Sequence, residues 1–436
     1  KSSALPLIAV RPWASSAALT AGSFSAALTS ALILVTTAAG GIGSMVIKDN
    51  AAYYSTGDFN VSDLAFSIGQ LDIQDNAAVT GGATFIGKAA GSIGVLNMSG
   101  GSFTAPGANV QIGQYGEGTV NLSGGVFTAG NWPSIGRYSS GIGALNVSAG
   151  TFAQTNATTD LIVGEEGNGT LTVSGTGLVK LEGRLRLGNS PTAVSAVNLD
   201  GGTIVTRQVW TAAPGGASSF IFNGGTLVAG PDASSDFMSG ISGAYLGAGG
   251  IRIDTAGNDI AIVQDIWDMG GGGGLTKLGA GTLTLSGYAA YTGPTIVSQG
   301  ALITTTRGGG MGDITMADAT ELSVAVQDAL NEDINPVNLT VGGAAGATIT
   351  IGLGSFGNPS IAPINVGGTF TANGIVILNV EPSSAVGVGE IPLISYDTLG
   401  GSGTVVLGDL PPGVFGYLTN NTAAMPKHIG IVVTSV

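Results

Sequence analysis

Apolar and polar positions alternate through the first half of the chain in one recurring phrase. Leu96-Asn97-Met98-Ser99-Gly100-Gly101-Ser102-Phe103 is followed by Val120-Asn121-Leu122-Ser123-Gly124-Gly125-Val126-Phe127. Leu145-Asn146-Val147-Ser148-Ala149-Gly150-Thr151-Phe152 and Val197-Asn198-Leu199-Asp200-Gly201-Gly202-Thr203-Ile204 repeat it, and Leu171-Thr172-Val173-Ser174-Gly175 is a shorter copy. Leu96 and Met98 fall on one face and Asn97 and Ser99 on the other, which is the period of a strand with one buried face. The glycine pair is expected to break the strand, and an apolar residue resumes after it. An apolar-Gly step precedes each phrase: Ile86-Gly87, Ile112-Gly113, Ile135-Gly136, Val163-Gly164 and Leu187-Gly188. The period of about 25 residues is that of a solenoid. One repeat cannot bury its apolar face alone; stacked on its neighbour at about 4.8 Å per coil, it can. The pattern predicts an all-β chain, a right-handed parallel β-solenoid (β-helix) over residues 51–310, with a β-rich region from 311 to 436.

Equivalent positions in stacked coils should form ladders of like residues. Phe103, Phe127 and Phe152 form the clearest inward file, with Ile204 and Leu227 continuing it. Asn97, Asn121, Asn146 and Asn198 would stack as an amide ladder on the outer face or at a corner. Both sets are expected to be structural.

Composition narrows the class. The chain has 436 residues, among them 76 Gly, no Cys and one His, with 13 Lys and Arg against 27 Asp and Glu. Strand and turn formers dominate. The net charge of −14 disfavours a nucleic-acid partner, which would call for a basic face. Without cysteine there are no disulfide staples and no thiolate chemistry.

From Pro12 to Ile47 no residue is charged. Lys1 and Arg11, an apolar centre and the small-residue exit Ala38-Ala39-Gly40-Gly41 have the layout of a signal peptide. The run is too short and too rich in Ser and Thr for a stable membrane span. Residues 1–50 are therefore read as an apolar lead. Its segment Leu32, Ile33, Leu34 and Val35 is the candidate to dock on a neighbouring copy, head to tail, and build an open filament. The alternative is that the lead caps its own first coil. Residues 51–230 hold the repeats, 231–310 another stretch of solenoid, and 311–436 either more coils or a small sandwich. A chain stopping on the strand-like run Gly430-Ile431-Val432-Val433 would leave that edge exposed unless covered.

The run Gly274-Leu275-Thr276-Lys277-Leu278-Gly279-Ala280-Gly281-Thr282-Leu283-Thr284-Leu285-Ser286-Gly287 continues through Tyr291-Thr292-Gly293-Pro294-Thr295 to Gly300-Ala301-Leu302. Leu275, Leu283, Leu285 and Ile296 alternate with Thr, as in a coil. The run also resembles the autotransporter-associated β-strand repeat of secreted bacterial passenger proteins. That resemblance implies an exported parallel β-helix, extracellular or at the cell surface. It implies no particular activity.

Chemistry is sparse. His428 has no orienting partner in sequence, so no catalytic residue and no His-based metal site is expected, and no cofactor. Glu165-Glu166, Asp72, Asp75, Asp259, Asp265 and Asp268 do not recur at the coil period and are expected to be solvated turn residues. The aromatic residues Tyr115, Tyr138, Trp132 and Trp210 could stack on sugars; Tyr115 and Tyr138 occupy equivalent places and are the candidate glycan contact, with aromatic corner packing as the alternative. The leading reading is a non-enzymatic extracellular structural protein, a homopolymeric fibre or layer subunit, with adhesion to a surface glycan as a further role. The alternative is a secreted β-helix that binds or cleaves polysaccharide.

Overall fold

The computed structural model describes residues 17–21, 28–30, 33–34, 39–55, 57–212, 216–308, 310, 312–327, 331–381 and 385–436. Every regular element among them is a β-strand. The chain is a parallel β-solenoid and divides into two compact units, residues 1–205 with 209–219 and residues 206–208 with 220–436.

In the first unit each coil from Ile93 onward carries one long strand and one short one, while the coils before it have two strands, such as Ile68–Ile73 and Ala78–Thr80, in place of the long one. The long strands Ile93–Ala105, Glu117–Ala129, Ile142–Gln154, Asn168–Leu181 and Val194–Thr206 pair in parallel in that order. The short strands Phe59–Val61, Thr84–Ile86, Val110–Ile112, Pro133–Ile135, Leu161–Val163, Leu185–Leu187 and Val209–Trp210 form a second parallel ladder. Alternation fills the space between them: Leu96, Met98 and Phe103 are buried, as are Val120, Leu122 and Phe127 one coil on.

The glycine pair does not end the strand, as the sequence suggested. It bends it. Gly101, Gly125 and Gly150 take positive φ, and pairing shifts register there and resumes at Ser102↔Val126 and Val126↔Thr151. A bulge absorbs the extra residue while the ladder continues on both sides. The true corner is the apolar-Gly step. Gly113 has φ +72°, and a Cβ there would strike the carbonyl of Ile142, so only glycine fits.

The described part of the apolar lead lies on its own chain. Ala17–Ala21 pairs with Ile42–Ile47, Leu28–Ser30 with Ala52–Ser55, and Ile33–Leu34 with Phe59–Val61, all in parallel. These strands lay down a coil of their own solenoid, the intramolecular arrangement among the two readings. Leu32 and Val35 lie outside the described residues.

The second unit continues with shorter strands. Leu275–Leu278 pairs with Ile251–Asp254 and Thr295–Val297, and Thr282–Leu285 with Ile260–Ile262 and Ala301–Thr305. Leu275, Leu283 and Leu285 face inward, but Ile296 does not: it is 38% exposed while Thr295 and Val297 are buried. Register decides this, because Thr276↔Ile296 places Ile296 on the outward row and Lys277↔Val297 on the inward one. Coils run on through Thr398–Gly400 and Thr404–Leu407. Beside them Ile364–Asn365, Gly389–Tyr396, Lys427–Ser435 and Phe415–Asn421 form a four-stranded mixed sheet. Of the two C-terminal expectations, the further coils are present; beside them stands a single sheet, not a sandwich. The last strand is not an exposed edge, for it lies between Gly389–Tyr396 and Phe415–Asn421 and is antiparallel to both.

Candidate functional site

The ladder residues stack inside the first unit. The rings of Phe103 and Phe127 lie 4.7 Å apart at 23°, and those of Phe127 and Phe152 5.4 Å apart at 24°. Phe59 meets Phe103 edge-on at 5.0 Å. Register continues the file from Phe152 to Val179 and Ile204; Leu227 belongs to the second unit, paired with Ile253. On the outer row the Asn146 amide donates to the Asn121 carbonyl oxygen and Asn121 to Asn97, each at 2.9 Å. Asn97 donates to the Asp72 carboxylate at 2.8 Å. Thr172 stands between Asn146 and Asn198 and accepts from the latter at 3.4 Å.

The chemically richest surface of this unit is the outer face of the short strands. Their outward row runs Asn60, Phe85, Gln111, Ser134, Ile162, Arg186 and Trp210 in consecutive coils. Long side chains from the flanking turns fold over it. Lys88 lies 4.7 Å above the Phe85 ring and pairs with Asp63 at 3.1 Å and Asp58 at 3.4 Å. The Arg137 guanidinium sits 5.4 Å from the Trp132 ring and 5.1 Å from that of Tyr138, spanning the strand that carries Ser134, and pairs with Glu165. Arg184 and Arg186 share the Asp160 carboxylate at 3.0 Å and 2.7 Å and lie 4.3 Å and 4.7 Å from the Trp210 ring.

Tyr115 and Tyr138 stack at 4.3 Å and 17° along one rim of this face. Tyr115 is 44% exposed and Trp132 40%. The two tyrosines are packed on each other, the corner packing that was the alternative reading, while Tyr115 remains open to solvent. Glu165 departs from expectation: it is not a solvated turn residue but 2% exposed, held under Arg137. Its Oε2, Arg137 Nε, the Gln111 carbonyl oxygen, the Ser134 hydroxyl, both Asn60 amide atoms and Trp210 Nε1 are buried and have no partner among the described residues.

In the second unit the side chain that sequence reasoning passed over is Lys277. It is fully buried. Its ammonium donates to the carbonyls of Gly279 at 2.6 Å, Leu278 at 3.0 Å and Gln299 at 3.0 Å, and to Thr255 Oγ1 at 3.2 Å. Thr255 and Gln299 belong to the coils on either side, so one cation ties three coils. Burial pulls its pKa from 10.5 down to about 8, against the opposing pull of Asp254 and Asp259. The signal for this was present, since Lys277 has the parity of Leu275.

The carboxylates of this unit bind neighbouring backbone. Asp259 accepts from the Thr282 N–H and Asp265 from the Tyr288 N–H, each at 2.8 Å, and Asp268 from the Gly270 N–H at 2.7 Å. The Thr282 N–H holds Asp259 below the usual carboxylate range. In the first unit Asp75 does likewise, accepting from the Asp49 N–H at 3.0 Å, whereas Asp72 accepts from the side-chain amides of Asn97 and Gln70. Asp75 and Asp259 stay exposed between strands, as expected, and also accept from neighbouring N–H groups, whereas Asp72 lies within the strand Ile68–Ile73. His428 does have a partner across the sheet, Glu390 at 3.1 Å; the Asn421 amide and then His428 hold Glu390 below its ordinary value. No group of three or more His, Cys, Asp or Glu placed to hold a metal occurs among the described residues, and no helix among them is long and apolar enough to cross a membrane.

No match to the chain is found among curated proteins or among solved structures. Residues 275–303, which include Lys277 and its acceptor Gln299, match the family model of the passenger-associated-transport-repeat, and this match on a β-solenoid fits a passenger-type autotransporter-associated repeat protein.

Proposed function

We propose that the chain is a non-enzymatic structural protein of the extracellular space or cell surface, a passenger-like β-solenoid whose copies join head to tail into a fibre or layer. The passenger-associated repeat supports the extracellular setting. The observation that supports the assembly is one-sided strand pairing at two places in the stack. Among the described residues Ala17–Ala21 and Ile33–Leu34 pair on one side only, and so do Thr398–Gly400 and Thr404–Leu407. Such edges template further strands. The engagement of Asp259, Asp265, Asp268 and Glu165 in bonds to adjacent groups supports a scaffold rather than a catalyst.

Negative-stain imaging of the intact chain tests this. Filaments or sheets are expected, and removal of residues 1–40 is expected to shorten or abolish them. Uniform single particles at every concentration would remove the assembly reading. A second reading, polysaccharide binding without cleavage, is favoured by one observation, the exposed ring of Tyr115 stacked on Tyr138.

A further inference from the structure

Eight buried side-chain polar atoms lack a partner among the described residues, and all but the Ser195 hydroxyl lie on one face, the outward side of the short strands of the first unit. Native proteins leave few such atoms, because each forfeits its bonds to water for nothing. Their gathering on one face points to a surface suited to exchanging hydrogen bonds with a bound molecule.

The chemistry of that face defines the ligand. Gln111 and Ser134 are neighbours in the outward row and more than nine-tenths buried, and each leaves an oxygen unsatisfied. Arg137 and Glu165, which cover them, each leave one atom unsatisfied as well. Donors and acceptors are thus interleaved, the pattern that hydroxyl groups match, since each hydroxyl both donates and accepts. Beside them stands the Tyr115 ring. One face is stacked on Tyr138; in the preceding coil the equivalent position is Ala89, and the Tyr115 N–H bonds to the neighbouring Lys88 carbonyl at 3.2 Å. A methyl group there leaves the second ring face uncovered. An aromatic face beside interleaved donors and acceptors suits a pyranose ring, apolar on its C–H face and hydroxylated at its edge.

Charge separates neutral from acidic sugars. Lys88, Arg137, Arg184 and Arg186 on this face are matched by Asp58, Asp63, Asp160 and Glu165. The face carries no net charge and the chain carries −14, so nothing attracts a polyanion. The row crosses successive coils at about 4.8 Å each, which gives an extended ligand, not a compact one, a continuous track.

We propose that this face binds a neutral polysaccharide laid along the stack from Tyr115 towards Trp210, its rings against Tyr115 and Trp132 and its hydroxyls on Gln111, Ser134, Arg137 and Glu165 after the Arg137 side chain swings aside. The proposal rests on the polysaccharide-binding reading above and is independent of filament formation.

Affinity electrophoresis of the intact chain tests it, in native gels holding hydroxyethyl cellulose, galactomannan or, as the acidic comparison, alginate. Retardation by at least one neutral polymer is expected, weakened about tenfold by Tyr115→Ala or Trp132→Ala and unchanged by Trp267→Ala in the second unit. Ser134→Ala provides the sharper readout. It removes a buried unsatisfied hydroxyl, so the folded chain is expected to melt at the same or a higher temperature while binding weakens; a purely structural Ser134 would not separate the two. Absence of retardation by both neutral polymers overturns the proposal, as does retardation by alginate alone or binding indifferent to Tyr115→Ala and Ser134→Ala. A chain that forms filaments yet is not retarded leaves the structural function standing and sinks this inference together with the polysaccharide-binding reading it rests on.

Discussion

The ammonium of Lys277 lies 3.0 Å from the carbonyl oxygen of Gln299, one coil away. Both residues fall inside the repeat that matches the family model. The cation of the repeat is thus a fastener within the stack, and its place in the motif follows from the carbonyls it closes.

Replacing it should loosen the second unit. Lys277→Met keeps most of the buried volume but strips donors from the Gly279, Leu278 and Gln299 carbonyls. A loss of about 1–3 kcal/mol is expected, read by chemical denaturation, with faster hydrogen exchange confined to residues 255–300. An unchanged exchange pattern there would contradict the fastening role.

The same residue sets a pH dependence. The folded chain releases the Lys277 proton near 8 and the unfolded chain near 10.5. Between those values the unfolded state binds more protons, so this group makes stability rise with pH; below about 8 both states hold the proton and the slope vanishes. The stability of the native chain minus that of Lys277→Met, followed from about pH 7 to about pH 10, should grow. A flat or falling difference would show that the ammonium is not disfavoured in the fold.

Phe127 sits between two stacked rings, so Phe127→Ala opens a cavity that the rigid ladders above and below cannot close. A cost of about 3–5 kcal/mol is expected, with Phe127→Leu costing less. Asn121→Ala removes one amide from the middle of the outer ladder, two bonds at 2.9 Å, and should cost about 1–2 kcal/mol. Thermal or urea unfolding that ranks the two in the opposite order would place the main coil-to-coil cohesion on the amide row.

Asp318 accepts from the Gly343 N–H at 2.5 Å, Gly346 at 2.9 Å and Ala345 at 3.1 Å, and the Gly343 bond leads in holding its carboxyl below the ordinary 3.8. Stability from these bonds is complete above 3.8 and fades as pH falls through the lower folded value. Asp318→Ala should flatten part of the acid limb and speed exchange at the Gly343, Ala345 and Gly346 amides. Protection of those amides in the variant would count against it.

Much of this was legible because a solenoid writes its fold into its period. Leu96, Met98 and Phe103 reveal their face by alternation, and Asn97 and Asn121 reveal their stacking by recurrence. Lys277 was legible by the same parity and was missed because a charge is expected outside; the cluster of backbone carbonyls that welcomes it is not a sequence feature. The glycine pair looked like a strand end because glycine permits a turn, but a bulge uses the same freedom and keeps the ladder.

The sequence by itself determined the parallel stack, its coil length and the inward files, since these depend only on spacing along one strand and its repetition. Tertiary structure alone decided what each coil edge meets. That Ile296 faces out, that Glu165 lies buried under Arg137, and that Lys427–Ser435 runs inside a sheet and not along its rim all depend on register and on neighbours distant in sequence. A residue carries its own polarity in its letter, but its partner is chosen only when the coils are laid one upon another.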